Sequence, residues 1–153
     1  MADKTRSQLI SDLMMLELDR QLAADRSLWP NIQGLYVLNI TKRRKPKTAW
    51  YLLFQGNDIK PLVTSNEQVA RKAAKRKPRV VKIWIEDTDV LNFITGGLTG
   101  IKAYMARRIK VHGDLVMAQR LEQFFEKAEG RERAIAFVKE HEQLLFSANT
   151  SKM

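Results

Sequence analysis

The chain has 153 residues, of which 44% are hydrophobic, and it contains no cysteine. This length suits one domain with a core of its own, and the missing cysteines exclude disulfides, thiolate metal sites and a cysteine nucleophile. The formal net charge of +10 predicts an anionic partner, which is a lipid surface, a nucleic acid or a phosphate-bearing ligand. There is no apolar run of about 18 residues and no apolar signal core after the charged start, so we expect a soluble protein.

The first predicted element is a helix over residues 3–24, capped by Asp3 or Thr5. Its apolar residues recur at helical spacing. They are Leu9, Leu13 and Leu16, with Ile10 and Met14 beside them. Trp29-Pro30 ends this region, because the residue before proline avoids the helical conformation.

From Gly34 the hydrophobic period changes to two, which predicts strands. Tyr36, Leu38 and Ile40 mark the first strand, and a second over Ala49–Gln55 completes an antiparallel hairpin. Three further strands are predicted over Ile59–Val63, Val80–Ile85 and Ile109–His112. Pro61 places the third at an edge of the sheet, because proline cannot donate a ladder hydrogen bond.

Two stretches concentrate the positive charge: the hairpin turn at 42–47, and a predicted helix with its following loop at 65–79, capped by Ser65 or Asn66. Either stretch is a solvated face or a surface that docks on an anionic membrane, where each cation contributes about 1 kcal/mol. Arg107 and Arg108 are further candidates for contact with a headgroup. The complete predicted set of membrane or headgroup contacts is Lys42, Arg43, Arg44, Lys45, Lys47, Arg71, Lys72, Lys75, Arg76, Lys77, Arg107 and Arg108.

Residues 88–128 are rich in methionine, phenylalanine and aliphatic side chains. Two short helices meet at Gly96-Gly97, and after the last strand Asp114 begins a helix with an apolar stripe. A final helix is predicted over 131–146. Helices packed on one face of a mostly antiparallel five-stranded sheet give the α+β class. Six apolar side chains would then point to the other face, where we expect cover from the last helix, the basic segment or a second copy in a homodimer: Leu35, Val37, Tyr51, Leu53, Val80 and Trp84.

Catalytic patterns are missing from the sequence. His112 and His141 lie in different predicted elements, and no nucleophile motif, metal-ligand cluster or glycine-rich phosphate loop accompanies them. We therefore expect a protein that is not an enzyme and needs no cofactor or metal.

The stretch Thr95–Leu121 resembles the sterol carrier protein type-2 domain. The resemblance depends on Ala103-Tyr104, Arg108–Val111, Gly113-Asp114 and Met117-Ala118, and Gly34–Val63 resembles the first three strands of that family. The resemblance implies one domain over 1–153, with a basic insertion at 64–79 and a polar tail at 147–153. It also implies an apolar tunnel that binds sterols, fatty acids, fatty acyl-CoA or phospholipids without a cofactor.

The function expected is therefore lipid binding and transfer. Methionine suits such a site because its flexible side chain adapts to different chains. The predicted lining consists of Phe93, Ile94, Leu98, Ile101, Tyr104, Met105, Ile109, Val111, Met117, Leu121, Phe124 and Phe125. Two alternatives stay open: a nucleic-acid-binding domain that uses the basic clusters beside Trp50 and Tyr51, and an accessory domain that presents lipids to an enzyme.

The sequence ends in Ser151-Lys152-Met153, which resembles the S-K-L address of peroxisomal proteins. This tripeptide predicts recognition by the peroxisomal import receptor and location in the peroxisome or a related organelle such as the glycosome. A cytoplasmic location is the alternative.

Overall fold

The computed structural model of the chain describes residues 9–90 and 109–127, and for 125–127 the backbone alone. The described elements are α1 (Ile10–Ala24), a 3₁₀ turn (Arg26–Leu28), β1 (Gln33–Lys42), β2 (Lys45–Gln55), β3 (Leu62–Thr64), α2 (Glu67–Ala73), β4 (Val80–Glu86), β5 (Ile109–His112) and α3 (Leu115–Lys127). Residues 87–90 begin a further helix. No helix within the described ranges is both long and apolar enough to cross a membrane.

The five strands form one sheet in the order β3-β2-β1-β4-β5. β1 pairs in parallel with β4, and the other three pairings are antiparallel. The predicted α+β class and the mostly antiparallel five-stranded sheet are confirmed.

Helices α1 and α3 pack on one face of this sheet, and together with that face they form the main apolar core. The alternate residues Tyr36, Leu38 and Ile40 point into that core, where they join Met15 of α1 and Leu121 of α3. The period-two pattern of β1 therefore has the expected cause, which is burial of one face of the strand.

The opposite face of the sheet carries a second, smaller apolar cluster. Leu35, Val37 and Leu53 are buried there against Ala70 of α2. This confirms for these three residues that the far face is covered, and the basic segment provides the cover. The short helix α2 of the basic segment thus packs on the face opposite α1 and α3, which was one of the three covers expected there.

Within the described residues α1 begins at Ile10, and the predicted caps Asp3 and Thr5 lie outside them. Leu9 has extended backbone angles, and the first amides are bound by side chains of Asp12 and Asp87. The predicted stripe also needs one correction: Leu16 is 56% exposed, while the neighbouring Met15 is buried.

Candidate functional site

The inner face of α3 carries the apolar stripe that the sequence predicted. Met117, Leu121 and Phe124 are all buried in the main core. The helix begins where it does because the Asp114 carboxylate accepts hydrogen bonds from the amides of Val116 and Met117.

A glycine makes the turn into α3 possible. Gly113 has a φ of +123°, and a Cβ at this position would lie 3.0 Å from the carbonyl oxygen of Val80. Any larger residue would be strained in this conformation and would also collide with β4. Gly113 therefore fixes how closely the start of α3 approaches the sheet.

An aromatic chain joins the sheet to α3. The ring of Phe54 meets Tyr36 edge-to-face at 5.5 Å and Phe124 at 5.2 Å. The Tyr36 hydroxyl donates a hydrogen bond of 2.7 Å to the Met117 carbonyl. Burial raises the pKa of Tyr36 to about 12, with a smaller opposing effect of the Arg120 charge. Tyr36 is therefore a neutral donor at physiological pH, and it holds α3 against β1.

A cleft of about 660 Å³ opens beside this contact, where β1 begins and β2 ends. Its apolar wall includes Phe54 and Met117, which also belong to the main core. Its polar wall contains five cations and, among the residues that the structure describes, no carboxylate. The cations of this basic cleft are Lys75, Arg76, Lys77, Arg79 and Arg120.

Gly34 lies between Met117 and the segment that carries most of these cations. A Cβ on Gly34 would lie 2.3 Å from the Met117 methyl group and 3.4 Å from the Arg79 carbonyl oxygen. The absence of a side chain at this position therefore lets the methionine rest against β1 and keeps the basic segment close to the core.

The second basic cluster lies at the other end of β1. The hairpin tip, residues 42–47, turns through Arg43 and Arg44, which have φ values of 56° and 65°. Lys42 comes seven positions after Leu35, whose amide is bound by the Arg79 carbonyl. At about 3.3 Å per residue the two clusters are roughly 20 Å apart. They do not form one continuous patch.

The model of the SCP-2 sterol transfer family matches residues 16–126, which is more than half of the chain. The chain belongs to this family. The SCP-2 resemblance seen in the sequence is thus confirmed.

Solved SCP-2 structures show the same fold. The chain is 25% identical to sterol carrier protein domain 2 of Helicoverpa armigera, with a TM-score of 0.59 over 80% of this chain and 91% of that one. It is 20% identical to the SCP-2-like-3 protein of Aedes aegypti, with a TM-score of 0.58 over 78% and 99%. It is 18% identical to Aedes aegypti SCP-2 in complex with palmitate, with a TM-score of 0.54 over 77% and 96%. The comparison with curated proteins found no match.

Part of the predicted SCP-2 lining falls within the described residues. Ile109, Met117, Leu121 and Phe124 are buried in one core cluster, and Val111 packs against it half-buried. The predicted lining residues Phe93, Ile94, Leu98, Ile101, Tyr104 and Met105 lie outside the described residues, as does the side chain of Phe125. The predicted lining as a lipid site stays a prediction.

The predicted headgroup contacts that the structure describes are on its surface. At the hairpin tip the side chains of Arg43, Arg44, Lys45 and Lys47 are exposed, and Lys42 is half-exposed. Arg71 and Lys72 are exposed on α2, as are Lys75, Arg76 and Lys77 after it. Arg107, Arg108 and the tripeptide Ser151-Lys152-Met153 lie outside the described residues, so peroxisomal import stays a prediction.

The two aromatic residues proposed to stack on nucleic acid differ in exposure in this SCP-2 fold. Trp50 is only 7% exposed, and its indole nitrogen donates to Asp12 at 3.0 Å. Tyr51 is half-buried on the face that α2 covers. Burial of Trp50 removes one of the two aromatic side chains that the nucleic-acid alternative used, whereas Tyr51 stays partly exposed.

Within residues 9–90 and 109–127 no group of three or more histidine, aspartate or glutamate side chains is arranged to hold a metal. His112 is exposed at the end of β5, and His141 lies outside the described residues.

Sequence reasoning missed two cations of the cleft, Arg79 and Arg120. Arg79 follows Pro78 and continues the basic run, so the sequence does indicate that it belongs with the other cations. Arg120 is close to this run because β5 pairs with β4 beside Arg79 and Gly113 turns α3 back over the sheet. No pattern in the sequence shows that proximity.

Proposed function

We propose that this chain is a lipid carrier, which binds an acyl chain or a sterol in its apolar interior and transfers it between membranes. Its membership of the SCP-2 sterol transfer family over residues 16–126 is the observation that carries the proposal. The ligand classes under test are fatty acids, fatty acyl-CoA, phospholipids and sterols. Palmitate is the first probe, because Aedes aegypti SCP-2 was solved with it.

The interior has the chemistry that such a ligand needs. Each methylene group moved out of water contributes about 0.8 kcal/mol, so an apolar face without charged groups suffices for affinity. The α3 face of Met117, Leu121 and Phe124 is such a surface, and the flexible Met117 adapts to different chains.

Docking on anionic membranes is the second part of the proposal. The hairpin tip projects from the sheet with Arg43, Arg44, Lys45 and Lys47 exposed. The basic cleft lies at the opposite end of β1, so the two ends contact a bilayer separately unless β1 lies along it. Electrostatic attraction of this kind weakens as salt screens it.

A transfer assay tests the proposal. Donor vesicles carry a fluorescent C16 fatty acid, and acceptor vesicles of neutral or anionic composition carry a quencher. We expect the protein to accelerate transfer, more so to anionic acceptors, and high salt to remove that preference. Transfer by the isolated chain would distinguish a free carrier from an accessory domain. Absence of both binding and transfer would refute the proposed function.

Paired variants test the docking surface. Lys45→Gln/Lys47→Gln removes two exposed charges at the hairpin tip, and Lys82→Gln/Lys110→Gln removes two exposed charges elsewhere on the sheet. We expect the first pair alone to slow transfer to anionic vesicles while binding of the free fatty acid stays unchanged. Equal slowing by both pairs would show that net charge matters and that the hairpin tip has no special role.

A further inference from the structure

The described lining of the basic cleft concentrates positive charge. Five of its fourteen described lining residues are lysine or arginine, and none of the fourteen is acidic. The cations come from two separate parts of the chain, the segment between α2 and β4 and the exposed side of α3. Like charges held this close repel one another, and a bound anion relieves that repulsion.

Backbone contacts hold the cationic segment in place at both ends. The amide of Lys75 donates a hydrogen bond of 2.8 Å to the Gln55 side chain, whose amide group in turn donates to the Ala73 carbonyl at 3.1 Å. At the other end the Arg79 carbonyl accepts from the Leu35 amide at 2.8 Å. The segment is thus attached to β1 and β2, while its side chains stay at the surface.

Among the described ion pairs, the carboxylate nearest to the cleft is that of Asp114. It competes only weakly with an incoming anion for Arg79. Arg79 and Asp114 approach to 3.9 Å, and the Arg79 side chain is 80% exposed. Such exposed pairs contribute little stability, so an incoming phosphate can replace this contact. Phosphate oxygens accept the short, charge-assisted hydrogen bonds that arginine and lysine donate.

The wall opposite the cations leads into the apolar core. Phe54 and Met117 line the cleft and also belong to the core cluster, with 2% and 6% of their surface exposed, and the Met117 methyl group fills the space beside Gly34. A ligand bound here would place its charged end among the cations and its apolar end against Phe54 and Met117.

We infer that the basic cleft binds the phosphate group of an anionic amphiphile whose hydrocarbon chain enters the apolar interior. The inference rests on the proposed lipid-carrying function and makes it narrower: phosphate-bearing lipids are preferred over free fatty acids with the same chain. Lys75, Lys77, Arg79 and Arg120 are the residues that bind the phosphate. The phosphate source is a phospholipid headgroup or a soluble phosphate compound such as coenzyme A.

Binding titrations of the purified full chain test this inference, with each ligand below its micelle concentration. The ligands are palmitate, palmitoyl lysophosphatidic acid, palmitoyl-CoA and, without an acyl chain, coenzyme A and inorganic phosphate. We expect the two phosphate-bearing lipids to bind about tenfold more tightly than palmitate, since they add charge-assisted hydrogen bonds. A preference for palmitoyl-CoA over the lysophospholipid, with measurable binding of coenzyme A, would identify the soluble source.

Matched variants locate the site. Lys75→Gln/Lys77→Gln and Arg120→Gln change the cleft, and Lys82→Gln/Lys110→Gln removes the same number of lysines outside it. The cleft variants should lower affinity for the phosphate-bearing lipids to that of palmitate and leave palmitate binding within about twofold. The control variant Lys82→Gln/Lys110→Gln should bind every ligand with the affinity of the wild type.

The outcomes separate the two proposals. If palmitate binds but phosphate brings no gain in affinity, or if the control pair weakens binding as much as the cleft variants, the inference is overturned and the carrier function stands. If no acyl chain binds, the carrier function fails. If coenzyme A nevertheless binds and the cleft variants abolish that binding, the cleft is a site for a soluble phosphate compound. The inference that it binds an amphiphile would then be overturned.

Discussion

The hydroxyl of Tyr36 on β1 donates a hydrogen bond of 2.7 Å to the carbonyl of Met117 on α3, and Tyr36 is fully buried. The bond crosses the core at the point where the basic cleft begins. It therefore connects the position of α3 to the middle strand of the sheet.

Replacement of Tyr36 by phenylalanine should lower the free energy of unfolding by about 1 kcal/mol, because one buried hydrogen bond is lost with little change in shape. Urea unfolding followed by circular dichroism measures this. Tyr51→Phe on the half-buried far face is the control and should change stability by less than about 0.5 kcal/mol. Equal effects of the two variants would contradict the role assigned to the Tyr36 bond.

The same tyrosine predicts a loss of stability at high pH. Its pKa is raised by burial from 10.0 to about 12, so the folded state holds the proton more tightly than the unfolded state. The contribution is fully present below pH 10 and is lost as pH rises toward 12, by about 2 kcal/mol at the upper end. The stability difference between wild type and Tyr36→Phe should therefore shrink above pH 10 and then change sign. A difference that stays constant from pH 8 to 12 would refute this.

Asp87 caps the start of α1, although it lies far from this helix in the sequence. Its carboxylate accepts from the amides of Ile10 at 2.9 Å and Ser11 at 2.8 Å, and the residue is 3% exposed. Asp87→Ala should destabilise the protein by about 2 kcal/mol, because two amides lose a charged acceptor at the positive end of the helix. Asp87→Asn keeps one acceptor oxygen and should cost about half as much. An alanine variant as stable as wild type in urea would argue against this capping.

The turn of the hairpin tip depends on Glu86 of β4. Its carboxylate accepts from the amides of Arg43 and Arg44, each at 3.0 Å, and also bonds to the Thr41 hydroxyl. Arg43 and Arg44 both have the left-handed backbone, which costs roughly 1–2 kcal/mol for a residue with a side chain.

Two opposite changes follow for this turn. Glu86→Gln should lower the free energy of unfolding by about 1 kcal/mol, because the charge-assisted bonds weaken. Asn-Gly in place of Arg43-Arg44 should raise it by about 1 kcal/mol, because both residues adopt positive φ readily. Thermal and urea unfolding of the two variants measure both effects. A stabilised Glu86→Gln protein would contradict the account.

The strands were predictable from sequence because each buries a face. Tyr36, Leu38 and Ile40 alternate with residues of the far face, and this period appears unchanged in the structure. The hairpin turn was predicted within residues 42–47 and lies there, but its two-residue form was not predictable. It uses Arg43-Arg44 instead of a residue pair that favours positive φ, and its stabilising carboxylate is 42 residues or more away in Glu86. The second strand therefore starts at Lys45, four residues before the predicted Ala49.

The candidate site was likewise predictable from the sequence only in part. The buried stripe of Met117, Leu121 and Phe124 follows from helical spacing, which is a local property. The basic cleft joins Arg79, which directly precedes β4, to Arg120 on α3, and this proximity depends on the antiparallel pairing of β4 with β5. Long-range pairing of this kind leaves no periodic signal in a single sequence. The charge was therefore predictable, but its grouping around one cleft was not.

Native mass spectrometry of the purified chain incubated with palmitate tests the central claim most directly. We expect a species heavier by one fatty acid, which a second acyl ligand displaces. A spectrum that shows only the unliganded chain over the whole range of palmitate concentrations would contradict a lipid-binding interior.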